Sequence, residues 1–335
     1  MSLRQLSRAI GAATAAFALA LAAGCGGGDD GDGGAGAAAA TRVFPADNGD
    51  ITIPVEPKRV VATGYAVPVL LEADAPLVGI SSWKRGIPMM SAEDKARYDS
   101  LEKVAGETAA ETNYEAVAAV KPDLIVIGVP KPVLADIDIA RLESIAPVVA
   151  IGPTVPDAWR ELSRRQADAA GRAASFQAAK DAYDKKAAEL KAKYAAVLSG
   201  LRFGHVGGYG QIEPGTFHRE FARSWGTNIA TDVGVTYYGE VKKKGGGGLD
   251  HSEYPALEEL PASLGDADAI TYSLQADGTP SAAVRAVLDS ALWKNLPAVK
   301  AGKAFAIRYT EAATYESAMM TLDAIDAALA PLLTR

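Results

Sequence analysis

Residues 113–128 read NYEAVAAVKPDLIVIG: a helical stretch over about 112–120, a Pro122 that stops it, and an apolar β-branched run, DLIVIG (123–128), closed by glycine. A helix feeding a short apolar strand is the repeating unit of a layered α/β fold with parallel strands. The alternation extends in both directions. Upstream, RVVAT (59–63) and LVGISS (77–82) are strands of the same kind, with helices predicted over 67–73 and 91–101. Downstream, a helix over 132–145 leads into APVVAIG (146–152). The pattern restarts with RFGHVGGY (202–209), a helix near 216–226, DAITYS (268–273), a helix near 280–289, AFAIR (304–308) and a last helix over 314–331.

The stretch between these halves is different. From Pro156 to Ala196 it is rich in Ala, Lys, Arg, Glu and Gln, has no further proline, and offers Gly171 as its one break. Its strong helix formers predict two helices of about 14 and 24 residues. The expected fold class is α/β: two Rossmann-like lobes, residues 43–155 and 198–335, joined by the helical segment 156–197, with a ligand cleft between them.

The N-terminus has the layout of a secretory signal peptide, residues 1–24: Arg4 and Arg8, then an apolar run from Ala9 to Ala23, too short for a permanent span. It ends LAAGC, small residues before Cys25, the one cysteine in the chain. A structural disulfide is therefore excluded. The pattern resembles a bacterial lipobox with Ala22 where leucine is usual, and predicts lipidation (palmitate) of Cys25. Residues 25–42, dominated by Gly, Ala and Asp, form a predicted flexible tether spanning roughly 20 Å. Removing residues 1–24 takes away two arginines, so the net charge moves from −7 to −9. An acidic body argues against nucleic acid and against anionic lipid surfaces.

Tether, RVVAT, VGISSW (78–83), NYEAVAAVKPDLIVIG, a long helix and ALWKNLPAVKAGKAFAI (291–307) together resemble the helix-linked binding proteins of ABC importers. Those proteins take up ferric siderophores, haem and cobalamin, and the resemblance runs from about residue 43 to 331. Its general look is nearest the actinobacterial siderophore binders. The resemblance implies a non-enzymatic monomer, lipid-anchored on the extracellular face of the cell membrane. Its partners would be a ferric siderophore and an ABC permease with its ATPase. It also implies one acidic contact to the permease on each lobe. Glu115 in NYEAVAAVKPD matches the first; in HSEYPALEEL (251–260), Glu253 and Glu258 compete for the second.

A siderophore already fills the coordination sphere of ferric iron, so the protein needs a concave wall and no metal ligands of its own. No resident cofactor is expected. His205, His218 and His251 lack ligand spacing, and no zincin, nucleophile-elbow or phosphate-loop motif occurs. Ligands of doubly wound sheets sit beyond the carboxyl ends of strands. The residues there are Tyr65, Trp83, Lys84, Arg85, Tyr209, Gln211, Tyr272, Gln275, Arg308, Tyr309 and Tyr315, with Trp225 at the end of a predicted helix. Tyr237 and Tyr238, in the turn-rich piece 235–248, could fold over the mouth together with the lysine run 242–244. Trp159 and Trp293 are assigned to packing. Many aromatics and few basic groups favour a hydroxamate over a polyanionic catecholate, since aromatic faces attract cations at about 0.5–2 kcal/mol each. Haem or cobalamin binding stays open, with His218 or a tyrosine as an axial haem ligand. So does a surface lipoprotein without transported cargo; a hydrolase on this scaffold has no nucleophile–base set to support it.

Overall fold

The computed structural model describes residues 40–242 and 250–334. The expected signal peptide, Cys25 and most of the expected tether lie outside the described residues. An antiparallel hairpin comes first, β1 (Thr41–Ala46) and β2 (Gly49–Pro54), turned at Gly49 with φ +123°. β1 begins two residues inside the stretch assigned to the tether. The reason is long-range: Arg42 meets Asp168 at 2.9 Å, and Asn48 bonds the backbone of Val148 and Ala150 at 3.0 and 2.9 Å.

The first sheet contains β3 (Val60–Gly64), β4 (Leu77–Ser81), β5 (Lys103–Ala105), β6 (Leu124–Gly128) and β7 (Val148–Ala150). All pairings are parallel and the order is β5-β4-β3-β6-β7. Helices α1 (Ala66–Glu72), α2 (Ala92–Ser100), α3 (Tyr114–Ala119) and α4 (Ile139–Glu143) connect the strands. β6 buries all five of its residues, as an apolar run covered on both faces must. Ser91, Asn113 and Asp138 cap α2, α3 and α4, each accepting a backbone N–H at 3.1 Å. The Asp138 cap explains why the single helix expected over 132–145 is instead a 3-10 turn, Lys131–Asp136, followed by α4.

The order reverses between β3 and β6, which opens a crevice at their carboxyl ends. The chain there is very close-packed: Tyr65 N donates to Gly128 O at 2.9 Å, and a Cβ on Gly128 would overlap the backbone nitrogen of Ala66. Only glycine fits.

After α5 (Trp159–Ala169) and α6 (Ala173–Leu198), a second sheet repeats the order. It contains β8 (Phe203–Gly207), β9 (His218–Glu220), β10 (Ser252–Glu253), β11 (Ala269–Ser273) and β12 (Ala304–Ile307), arranged β10-β9-β8-β11-β12. β8, β11 and β12 are parallel; β9 runs against them and pairs antiparallel with both β8 and β10. Its helices are α7 (Asn228–Asp232), α8 (Leu260–Leu264), α9 (Ala282–Asp289), α10 (Ala291–Asn295), α11 (Pro297–Lys300) and α12 (Tyr315–Leu329). The helix expected near 216–226 is the strand β9 and a turn. HRE (218–220) has a polar pattern, yet all three residues are buried. Arg219 spends its donors on the carbonyls of Glu220 (2.7 Å) and Tyr238 (2.9 Å), which makes that burial tolerable.

The helical segment divides its work. α5, 11 residues, packs on α1, and the chain then turns at Gly171 (φ +69°). α6, 26 residues, buries Phe176, Tyr183, Ala187, Leu190, Tyr194 and Leu198 along one face, toward α12. Tyr194 and Lys193 both reach Asp326 of α12 at 2.6 Å. Buried Trp159 at the start of α5 donates to Asn228 of α7 at 3.0 Å and so ties the linking segment to the second lobe. Trp159 and Trp293, 1% and 5% exposed, are both core residues.

Candidate functional site

The carboxyl end of β3 delivers Tyr65, that of β8 delivers Tyr209, Trp83 follows β4, and Trp225 lies in the turn after β9. Their four rings form one cluster across the lobes. Tyr65 meets Trp83 edge-on at 4.9 Å and stacks on Trp225 at 6.1 Å and 3°; Tyr209 leans on Trp225 at 5.7 Å. Trp83 is fixed by its backbone N–H to the Tyr98 hydroxyl (2.8 Å) and by Gly86, where any Cβ would overlap the indole. The Arg85 guanidinium lies 3.9 Å from the Trp83 centroid and 4.7 Å from that of Tyr65. Burial, then Tyr209, pushes the Tyr65 hydroxyl pKa well up, so it stays a neutral donor.

Around the rings the wall is acidic. Glu72 from α1, Asp94 from α2, Glu311 after β12 and Glu316 from α12 line the same cleft, with Met89, Met90 and Ser317. Among the described residues, Arg85 is the only basic one in that lining. Burial raises the Glu72 carboxyl to about 7, although Thr314 and the Glu316 N–H (3.1 Å) hold it down in part. Burial, then a hydrogen bond with Asp94, raises Glu316 to about 7; burial, then Glu220, raises Glu311. The cleft encloses about 580 Å³ of non-protein space, part of it open to solvent. Beyond Arg85, Met89 and Glu311 it continues into a shallower compartment with Gln275, Asp277 and Tyr309. Tyr309 has φ +60°, a strained value for an aromatic residue, and its carbonyl is held by the Thr321 hydroxyl.

Of the residues expected at the ligand, Tyr65, Trp83, Arg85, Tyr209 and Trp225 are brought together, and Gln275 and Tyr309 line the adjoining compartment. The others lie elsewhere. Tyr237 is core: its hydroxyl bonds Thr271 at 2.9 Å and its ring meets Phe203 at 6.3 Å. Tyr238 bonds Ser263 O at 2.7 Å. Both flank Phe203 at the amino end of β8, opposite the cleft, so neither tyrosine closes over the ligand. Residues 243–249, with Lys243 and Lys244, lie outside the described residues. Tyr272 points from a sheet face onto Trp293 (5.9 Å). Tyr315 opens α12 but is only 3% exposed, against Trp159 (4.8 Å), Tyr183 and Phe176. Arg308 turns away to Ala276 O and the Tyr309 hydroxyl, and Lys84 and Gln211 are exposed outside the cleft lining. His218, weighed as an axial haem ligand, is 2% exposed and stacked on Tyr254 outside the cleft lining. Glu115 and Glu258 are exposed; Glu253 is 6% exposed and accepts the Lys242 N–H, so it offers nothing to a partner surface. Among the described residues no group of three or more His, Cys, Asp or Glu is placed to hold a metal ion. The carboxylates were missed because they sit on helix ends; only Glu311, just after a strand, carried a positional cue.

Residues 60–309 match the family described as periplasmic binding protein. The chain belongs to that family. Family members bind substrates for transporters and are not enzymes. Two relatives from Bacillus subtilis (strain 168) are the iron(3+)-hydroxamate-binding proteins YxeB and FhuD. The first is 25% identical over 272 residues, covering 79% of this chain and 77% of its own length. The second is 27% identical over 276 residues, covering 79% and 78%. A siderophore periplasmic binding protein from the fuscachelin gene cluster of Thermobifida fusca superimposes with TM-score 0.66 at 28% identity, over 83% of this chain and 98% of that one.

The raised Glu72 carboxyl makes a pH prediction. Its folded form holds a proton that the unfolded chain releases near pH ~4.3, so its stabilising protonation is complete below that value and lost as pH rises through about 7. Glu72→Gln, which never ionises, should gain in melting temperature relative to the parent between pH 5 and pH 8. A difference that shrinks or stays flat over that range would contradict the burial of this carboxyl.

Proposed function

We propose that this periplasmic binding protein is the extracellular substrate-binding component of an ABC importer, and that it captures a ferric siderophore of hydroxamate type. The observation that carries the reading is the composition of the cleft: four aromatic rings contributed by both lobes, with one arginine against four carboxylates. A tris-catecholate complex is polyanionic and meets a single arginine in that lining, against carboxyls whose negative charge grows as pH rises through about 7. A neutral or cationic hydroxamate complex carries no such mismatch, and it gains from the aromatic faces. The names of the two Bacillus relatives point to the same ligand class. Haem finds no histidine in the cleft lining, and burial disfavours the phenolate that an axial Tyr65 would need; a lipoprotein without cargo has no use for these rings.

Delivery is proposed to pass through an ABC permease that meets exposed Glu115 on one lobe and Glu258 on the other. The chain is proposed to be a monomer held on the outer face of the membrane by lipid on Cys25, supported by the LAAGC pattern and the Gly-rich tether.

The test is a tryptophan-fluorescence titration of the chain without residues 1–25 against ferrioxamine, ferrichrome, ferric enterobactin, haem and cobalamin. A ferric hydroxamate should saturate the quenching at the lowest concentration, and Trp225→Ala or Tyr65→Ala should weaken it by about tenfold or more. Tighter binding of ferric enterobactin would sink the hydroxamate reading. For the anchor, the full chain should partition into detergent or membrane fractions and Cys25→Ala should not; equal partitioning of both would remove the lipid from the account.

A further inference from the structure

Beneath the aromatic cluster lies a buried polar group with no contact to the cleft. Glu220, 1% exposed, ends β9. One carboxylate oxygen accepts the Ser224 hydroxyl at 2.6 Å and the Gly226 N–H at 3.4 Å, the two residues flanking Trp225. The other faces His205 Nε2 at 3.0 Å. His205 is held in turn by the hydroxyls of Thr271 (2.7 Å) and Ser273 (3.1 Å) on β11. Gly226 lies so close over this pair that a Cβ would overlap His205 Nε2 and Glu220 Oε2. Burial opposes the charge on Glu220, but His218, 4.0 Å away, and the bond to His205 hold its carboxyl down at about 2. An ionised carboxylate strengthens the 2.6 Å bond from Ser224, while the 3.4 Å contact from the Gly226 N–H is the weaker of the two.

We infer that Glu220 is the positioning residue for Trp225: by gripping Ser224 and Gly226 it sets the indole against Tyr65, and so shapes the ligand wall without touching the ligand. This rests on the proposed function of the cleft. A cheaper apolar residue would suit a buried strand end, because an ionised carboxylate there is costly unless its bonds are used. The bonds are used on the turn that carries Trp225.

The test uses protein labelled with 5-fluorotryptophan, whose four 19F lines are assigned by replacing each tryptophan. Glu220→Leu, which removes the acceptor, should move or broaden the Trp225 line more than the other three. It should weaken ferrioxamine binding by about tenfold or more, and by nothing further when Trp225→Phe is already present. Glu220→Gln keeps an acceptor and should recover at least about half of the lost affinity. An unmoved Trp225 line, or an equal loss in the Trp225→Phe background, overturns the inference. Should the leucine variant fail to fold, Ser224→Ala decides in the same way: a shifted Trp225 line supports the positioning role and an unshifted one overturns it. Should the parent bind no ferric chelate, the proposed function falls, and the fluorine line alone still judges Glu220.

Discussion

Tyr65 stacked on Trp225 is the contact on which the site depends, because it is where the carboxyl end of one sheet's first strand meets the turn beside the other's. It exists because both sheets have the same order, with the reversal next to β3 in one and β8 in the other. Tight glycine packing at Gly64, Gly128 and Gly226 brings the backbone close enough for the rings to touch. In the absence of ligand the rings bury one another. An aromatic pair contributes only about 0.5–1.5 kcal/mol beyond its area, against about 8 kcal/mol for micromolar binding. A ligand can therefore displace these contacts readily.

The ties that hold the linking helices to the second lobe are firmer. Trp159 to Asn228, Arg160 to Asp232 and the face of α6 on α12 are buried or part-buried and multiply bonded. A wide swing would break a buried tryptophan hydrogen bond, which costs more than parting rings. Ligand entry is thus expected to move the rings more than the lobes. The electrostatics act in the same place: Glu72 and Glu316 sit at the α1–α2–α12 junction with carboxyls raised to about 7, so the wall gains negative charge as pH rises past neutrality.

The α/β class, the central strands and the long helix were legible because continuous apolar runs and uninterrupted helix formers depend on local sequence alone. Tyr65, Trp83 and Tyr209 were legible for a similar reason: each directly follows a strand. Position along the chain could not say which way a side chain turns. Tyr272 and Tyr315 lie beside the right strand ends and face the core, and Arg308 folds back on a carbonyl. The β9 strand was hidden because His218, Arg219 and Glu220 look like a helix surface until their distant partners are known. The carboxylates of α1, α2 and α12 converge only in three dimensions.

The most direct measurement is a crystal structure of the ferrioxamine complex with anomalous data at the iron edge. The account predicts one iron peak between the lobes, with chelate lying between Tyr65 and Trp225 and Glu220 still bonded to Ser224. An iron peak away from these rings, or an intact Tyr65–Trp225 stack in the complex, would contradict it.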